Sequence, residues 1–131
     1  MGKIRVLLAD DHETILQRVR AVLGEEFEIV AAVKNGQDAL AETQRLDPDV
    51  LVIDISMPVV DGLCAARQLH GKKLHTRIVF LTVHEDQDFV NAAFVAGASA
   101  YVTKSRVTTD LVPAIRDALA GRRFISESIP T

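Results

Sequence analysis

The chain has 131 residues with 18 acidic and 15 basic side chains, a net charge of −3 with histidine neutral. That length suits one domain, and 48% apolar with 25% charged residues supplies a real core and excludes intrinsic disorder. No apolar run approaches the roughly 20 residues of a membrane span, and the net charge gives no general attraction to nucleic acid.

Ile4-Arg5-Val6-Leu7-Leu8-Ala9 predicts a buried strand bounded by Asp10-Asp11. The opening Met1-Gly2-Lys3 runs straight into it, without the pattern of a signal peptide. Ile15, Val19, Val22 and Leu23 then recur at helical spacing, with Gly24 as the stop. Phe27 to Val33 reads as a second strand. Asn35-Gly36 marks a turn, and Ala39, Leu40, Thr43 and Leu46 predict a helix ending before Pro48. Val50-Leu51-Val52-Ile53 is a third strand, ending at Asp54.

The second half repeats the plan. A helix is expected from Asp61 to His70, then a strand over Ile78-Val79-Phe80-Leu81 ending at Thr82. Phe89, Val90, Ala93 and Phe94 predict a fourth helix stopped by Gly97, and Ala100-Tyr101-Val102 a short fifth strand. Leu111, Val112, Ile115, Ala118 and Leu119 give a fifth helix closed by Gly121. Thr108 or Thr109 is its expected N-cap, and Pro113 is expected to hold its start close to Thr109. Five strand–helix units with continuously apolar strands predict an α/β domain over 1–121, a doubly wound parallel sheet covered on both faces. Residues 122–131 read as a tail or the start of a linker.

Ligands of such sheets sit beyond the carboxyl ends of the strands. Those ends carry Asp10-Asp11, Asp54, Thr82 and, just past the fifth strand, Lys104. Carboxylates crowded at one edge repel each other unless a cation sits among them. Hard oxygen ligands with room for water suit Mg²⁺. Such a cation with a nearby lysine neutralises a phosphoryl group in flight, and an aspartate can accept it as an acyl phosphate. Each of these residues alone is an ordinary helix cap. Their joint placement at separate strand ends on one edge points to Mg²⁺-dependent phosphoryl transfer onto a carboxylate.

The chain resembles the receiver domains of two-component response regulators. The matching residues are Asp10-Asp11, Asp54-Ile55-Ser56-Met57-Pro58 with Asp61-Gly62, Thr82, and Gly97-Ala98-Ser99-Ala100-Tyr101-Val102-Thr103-Lys104. The ending Ala120-Gly121-Arg122-Arg123-Phe124-Ile125-Ser126 further resembles the NarL/LuxR subclass. There it leads through a linker to a helix-turn-helix output domain, which residues 122–131 do not hold. The resemblance implies a flavodoxin-like (βα)5 fold with strand order 2-1-3-4-5. It makes Asp54 the phosphoacceptor and places Mg²⁺ on Asp10, Asp11, Asp54 and the backbone carbonyl of Ser56. Lys104 would pair with phosphoryl oxygens, Thr82 would donate its hydroxyl to one of them, and Thr82 with Tyr101 would form the switch. It also implies a sensor histidine kinase as donor and a phosphorylation-dependent homodimer. DNA would be contacted only through the output domain of a longer parent. The domain would be an acceptor that catalyses its own phosphorylation and slow dephosphorylation, rather than a turnover enzyme.

Departures from the family pattern stand at two positions. Ser105 follows Lys104 where proline is frequent, so a trans bond is expected there. Val83 is bulkier than the residue usual after the switch threonine and is expected to narrow the approach to Asp54. Ser56 and His84 occupy two positions that tune phosphate lifetime in the family. Elsewhere the plain reading holds. Tyr101 has an alternative as a half-buried aromatic with a wet hydroxyl. His12, His70, His75 and His84 show no metal-ligand spacing, though His12 and His84 lie near the acidic edge. Lys72, Lys73 and Arg77 read as a solvated loop, and Arg122-Arg123 has no assigned role. Cys64, the single cysteine, reads as a small apolar residue that cannot form an internal disulfide, as expected of a reducing, cytoplasmic setting.

Two rivals fit less well. A phosphatase of the haloacid dehalogenase type needs a second aspartate where Ser56 stands. A flavin carrier needs a phosphate-cradling loop where Asp10-Asp11-His12-Glu13 would repel it.

Overall fold

Runs of β-branched and leucine residues without polar interruption become strands only where both faces of a sheet are covered. A computed structural model, describing residues 2–72 and 74–127, shows this arrangement. In chain order the elements are β1 (Ile4–Ala9), α1 (Glu13–Leu23), β2 (Phe27–Val33), α2 (Gly36–Leu46), β3 (Val50–Ile53) and α3 (Gly62–His70). They continue with β4 (Arg77–Thr82), α4 (Gln87–Val95), β5 (Ala100–Thr103), α5 (Val107–Leu119) and β6 (Phe124–Ile125). All strand pairs are parallel, in the order β2-β1-β3-β4-β5-β6. The five-strand order is the expected one, and a sixth short strand is added beyond β5.

The sheet divides the core in two. On one face Leu16, Val19, Leu111 and Ile115 of α1 and α5 pack on Val6, Leu8, Val52 and Leu81. On the other, Ala39, Leu40, Ala65, Leu69 and Val90 from α2, α3 and α4 meet Leu7, Leu51, Ile53 and Phe80. Side-chain caps start two of the helices where the sequence placed them. Asn35 accepts the Asp38 amide and Asp61 accepts the Cys64 amide, both at 2.8 Å.

The α5 start departs from expectation. The helix begins at Val107, after a single 3-10 turn over Lys104–Arg106, and Arg106 rather than a threonine stands at the N-cap. Val107 is fully buried. Burying a valine is worth about 1.5–3 kcal/mol, against about 1 kcal/mol for a good cap, so packing sets the boundary. Pro113 therefore lies inside the helix, on its exposed side, where water can serve the carbonyl that proline leaves without a donor.

Residues 124–126, expected as tail, are docked. Phe124 pairs with Ala100 and Ile125 with Tyr101. The next residue, Ser126, is buried and hydrogen-bonded between strand and helix. Its hydroxyl donates to Asp110 Oδ2 at 2.8 Å and accepts the Thr103 amide at 3.2 Å. Asp110 also receives Arg106 Nε at 2.9 Å and the Thr109 hydroxyl at 3.0 Å. Burial would raise the Asp110 pKa, but hydrogen bonds from Arg106, Ser126 and Thr109 outweigh it and hold the carboxyl below its usual range.

Two outcomes follow for stability. Val59 is 80% exposed and holds φ +69°, beside a Val60 amide that donates to the Pro58 carbonyl at 2.9 Å. Left-handed backbone costs a non-glycine residue about 1–2 kcal/mol, while glycine adds about 0.5–1 kcal/mol of chain entropy. Val59→Gly should therefore raise stability by about 0.5–1 kcal/mol, read from the urea midpoint at unchanged slope. Asp110→Asn should lower stability by about 2 kcal/mol at pH 7, since a buried charge-assisted network is broken. A depressed folded pKa stabilises above the unfolded carboxyl value, about 3.9, and that stability is lost as pH falls through the folded pKa. The gap between wild type and variant should thus close on acidification, measured by urea unfolding from pH 7 to pH 3.

Candidate functional site

The strand ladder itself brings the acidic residues together. Past the end of β1 the Asp10 amide donates to the Val33 carbonyl, and past β3 the Asp54 amide donates to the Ala9 carbonyl, each at 3.0 Å. Both carboxylates are thereby held side by side at the point where the sheet order reverses, and both are buried, Asp10 at 4% and Asp54 at 3% exposure. Gly62 secures the other side of Asp54. Any Cβ there would run into the Asp54 carbonyl, so only glycine lets the start of α3 lie against it.

Lys104 reaches over from the turn after β5. Its ammonium lies 2.9 Å from Asp10 Oδ2, 3.0 Å from Asp54 Oδ2 and 3.4 Å from His12 Nδ1. Burial alone would lower its pKa, but the hydrogen bonds and charges of Asp10 and Asp54 prevail and raise it. The lysine is therefore a fixed cation at neutral pH. His12 Nδ1 stands 3.1 Å from Asp10 Oδ1 and 3.2 Å from Asp11 Oδ1. It joins the cluster that its spacing did not reveal.

Asp10, Asp11, His12 and Asp54 each turn one ligand atom into a space no wider than 4.8 Å. Asp54 Oδ1 is buried and has no hydrogen-bond partner among the described residues. A buried carboxylate oxygen without a partner is costly in a closed apolar site and is suited to a cation. Three carboxylates against one ammonium leave two formal negative charges, matched by one divalent ion. The acidic pocket thus fits a hard metal, with oxygen donors dominating.

Thr82 ends β4 fully buried, and its hydroxyl accepts the His84 amide at 3.4 Å. Tyr101 is also fully buried, and its hydroxyl donates to the His84 carbonyl at 2.8 Å. The alternative of a half-buried ring with a wet hydroxyl is therefore set aside. Burial, then the charges of Asp54, Asp86 and Glu85, push the phenol far above its usual pKa. His84 ties these groups to Ser56. Its Nε2 lies 2.8 Å from Ser56 Oγ, and its ring stacks on Phe89 at 4.1 Å. An open groove of about 560 Å³ beside the pocket is lined by Asp11, Ser56, Met57, His84 and Phe89. Val83, expected to narrow the approach, is 64% exposed and does not line this groove.

The remaining candidates behave as plain structure. No peptide bond among the described residues is cis, so Lys104–Ser105 is trans. His75 bridges Asp47 and Asp49 at 2.9 and 3.4 Å, away from the pocket. Cys64 Sγ accepts a weak bond from Gln68 at 3.4 Å. Lys72 and Arg77 are exposed, and Lys73 lies outside the described residues. Arg123 stacks its guanidinium 4.1 Å over the Phe94 ring, and Arg122 pairs with Asp117 at 3.0 Å. No helix among the described residues is long and apolar enough to cross a membrane. Sequence reasoning missed the set of Arg106, Asp110 and Ser126, whose one visible signal is the i, i+4 spacing of Arg106 and Asp110.

Comparison with known proteins shows the family. The chain is 35% identical over 128 residues to the response regulator GacA of Pseudomonas aeruginosa, covering 96% of this chain and 60% of that protein. It thus spans about 60% of the length of the curated relatives it matches. A LuxR-family two-component response regulator from Aurantimonas superposes with a TM-score of 0.91 at 34% identity, over 98% of this chain and 93% of that one. The isolated receiver domain of RcsB from Salmonella enterica, solved with a phosphomimetic beryllofluoride, gives 0.87 at 26% identity, over 98% and 96%. The response regulator receiver domain family matches residues 6–116, and it is to this family of two-component signalling proteins that the chain belongs.

Proposed function

We propose that Asp54 is the phosphoacceptor of a phosphorylation-activated switch, with a sensor histidine kinase as donor. The observation that carries this reading is the buried Asp54 carboxylate, one oxygen held by Lys104 and the other without a hydrogen-bond partner among the described residues. A carboxylate oxygen attacks the phosphorus of a phosphohistidine. The P–N bond breaks, its electron pair leaves on the imidazole, and Asp54 becomes an acyl phosphate. Lys104, charged at neutral pH, neutralises the phosphoryl oxygens as they arrive. Thr82 then turns its hydroxyl from the His84 amide to a phosphoryl oxygen. Tyr101, bonded to the His84 carbonyl, reports that movement to the face formed by α4, β5 and α5. A local charge event biases a two-state element in this way.

Mg²⁺ is the cation this donor set favours, and Asp10, Asp11, Asp54 and the Ser56 backbone carbonyl would hold it. When bound it screens the carboxylates from one another and stabilises charge on the transferred group. Hydrolysis of the acyl phosphate by water, assisted by the same residues, resets the switch. Ser56 and His84, in contact beside the pocket, are placed to set how long the phosphoryl group lasts. The receiver comprises residues 1–121 together with the docked β6 and Ser126, and in a longer parent protein the segment after Ser126 would begin the connection onward. Phosphorylation drives homodimerisation, and a DNA-binding output domain of the NarL/LuxR kind acts on promoters in the cytoplasm.

Incubation with acetyl phosphate, followed by intact mass, tests the acceptor. Wild type should gain one phosphoryl group with Mg²⁺ and none after chelation, and Asp54→Asn should gain none under either condition. A phosphoryl group on Asp54→Asn would move the acceptor elsewhere. Cation binding has its own readout. At tenfold its dissociation constant Mg²⁺ should stabilise wild type by about 1.4 kcal/mol, seen as a rise in Tm. Asp11→Asn should lose most of that rise.

A further inference from the structure

Ser126 lies ten residues beyond the end of the family match, yet it is among the most buried polar residues, at 2% exposure. Three contacts converge on it. Its amide donates to the Tyr101 carbonyl at 3.0 Å, its hydroxyl accepts the Thr103 amide, and the same hydroxyl donates to Asp110. Lys104 follows Thr103 directly, and Arg106, two residues further on, is tied to the same Asp110 oxygen. The backbone just before Lys104 is therefore fastened by Ser126 itself, and beyond it the Arg106 side chain is held by the same Asp110 that Ser126 bonds. The approach to that serine is anchored as well, by Arg123 over Phe94 and by the pairing of Phe124 and Ile125 with β5.

We propose that Ser126 is a positioning residue for Lys104, and that it couples the phosphorylation site to the segment following α5. This rests on the reading of Asp54 as phosphoacceptor. Lys104 has to hold its ammonium between Asp10 and Asp54, and a long side chain does so only from a fixed backbone. The 3-10 turn that carries it has no side-chain cap of its own. Ser126 and Asp110 supply that constraint from outside the turn. Coupling of this kind is reciprocal. Whatever draws Lys104 toward a phosphoryl group on Asp54 changes the hold on β6 by the same free energy, so the state of Asp54 is passed to the residues after Ile125.

A double-mutant cycle on the full chain separates positioning from mere packing. The rate of phosphorylation by acetyl phosphate with Mg²⁺ is followed by intact mass. Ser126→Ala should slow it about tenfold, a loss of about 1.4 kcal/mol in barrier terms, and Ser126→Thr should restore most of the rate. In a Lys104→Ala background the same Ser126→Ala change should alter the rate less than about twofold. A tenfold loss that persists without Lys104, or a Ser126→Ala rate equal to wild type, overturns the proposal. Wild type that takes no phosphoryl group overturns instead the reading of Asp54, and this inference with it. Hydrogen exchange on unmutated protein gives an independent readout. Protection of the Phe124 to Ser126 amides should change at least about threefold on adding beryllofluoride with Mg²⁺, a coupling of at least about 0.65 kcal/mol. Unchanged protection in protein that binds beryllofluoride overturns the coupling.

Discussion

Everything at this site depends on one electrostatic constraint. Two buried carboxylates, Asp10 and Asp54, share a single ammonium at 2.9 and 3.0 Å. Unit charges about 4 Å apart interact by about 4 kcal/mol at an effective dielectric constant of 20. Without Lys104 the edge would carry unscreened repulsion of that order. With it, the pocket remains short of positive charge, because Asp11 adds a third carboxylate that Lys104 does not meet. The fold therefore holds a site stable enough to persist yet unbalanced in favour of one more cation. An apolar replacement would pack as well or better, so the charges are retained for what they bind.

Topology decides which residues feel that constraint. In a parallel sheet every strand points its carboxyl end to the same edge. The reversal of order at β2-β1-β3 opens a crevice beside β1. Asp10 and Asp54 follow neighbouring strands and meet there through the Asp54 amide and the Ala9 carbonyl. Lys104 comes from β5, two strands away from β3, and reaches the same point only because its side chain is long. Gly62 allows α3 to close against the Asp54 carbonyl, so Asp54 is fixed from three directions.

Much of this was legible in the sequence, for a physical reason. Continuous apolar runs such as Val50 to Ile53 mark doubly covered strands. The polar residue that ends each run must then lie at the sheet edge. Asp10, Asp54 and Thr82 follow from that rule, and Lys104 lies just past the fifth strand. Features set by tertiary packing were not legible. Burial of Val107 outweighed the threonine caps and moved the start of α5, leaving Pro113 inside the helix. Phe124-Ile125 is too short for any periodicity to show, and pairs only because the edge of β5 is there to receive it. His12 is legible only as lying near the acidic edge, because its partners Asp10 and Asp11 are its neighbours in the chain, where no helical spacing applies.

The division of labour across the sheet follows from how easily each strand can move. Asp54 leaves β3, a central strand hydrogen-bonded on both sides, where displacement would break two ladders. Precision in the placement of Asp54 is best served there. Tyr101 and Lys104 belong to β5 and the turn after it, which has β4 on one side and only two residues of β6 on the other. Opening free energy falls toward such margins, so Tyr101 and Lys104 sit where a small force produces movement. β6 then sets how easily that margin yields. With Ser126 in place, β5 is no longer a free edge, and its carboxyl end is fastened to α5 through Asp110. A switch of the kind proposed needs both properties, a rigid Asp54 and a compliant edge at β5, and the parallel sheet supplies them by position alone.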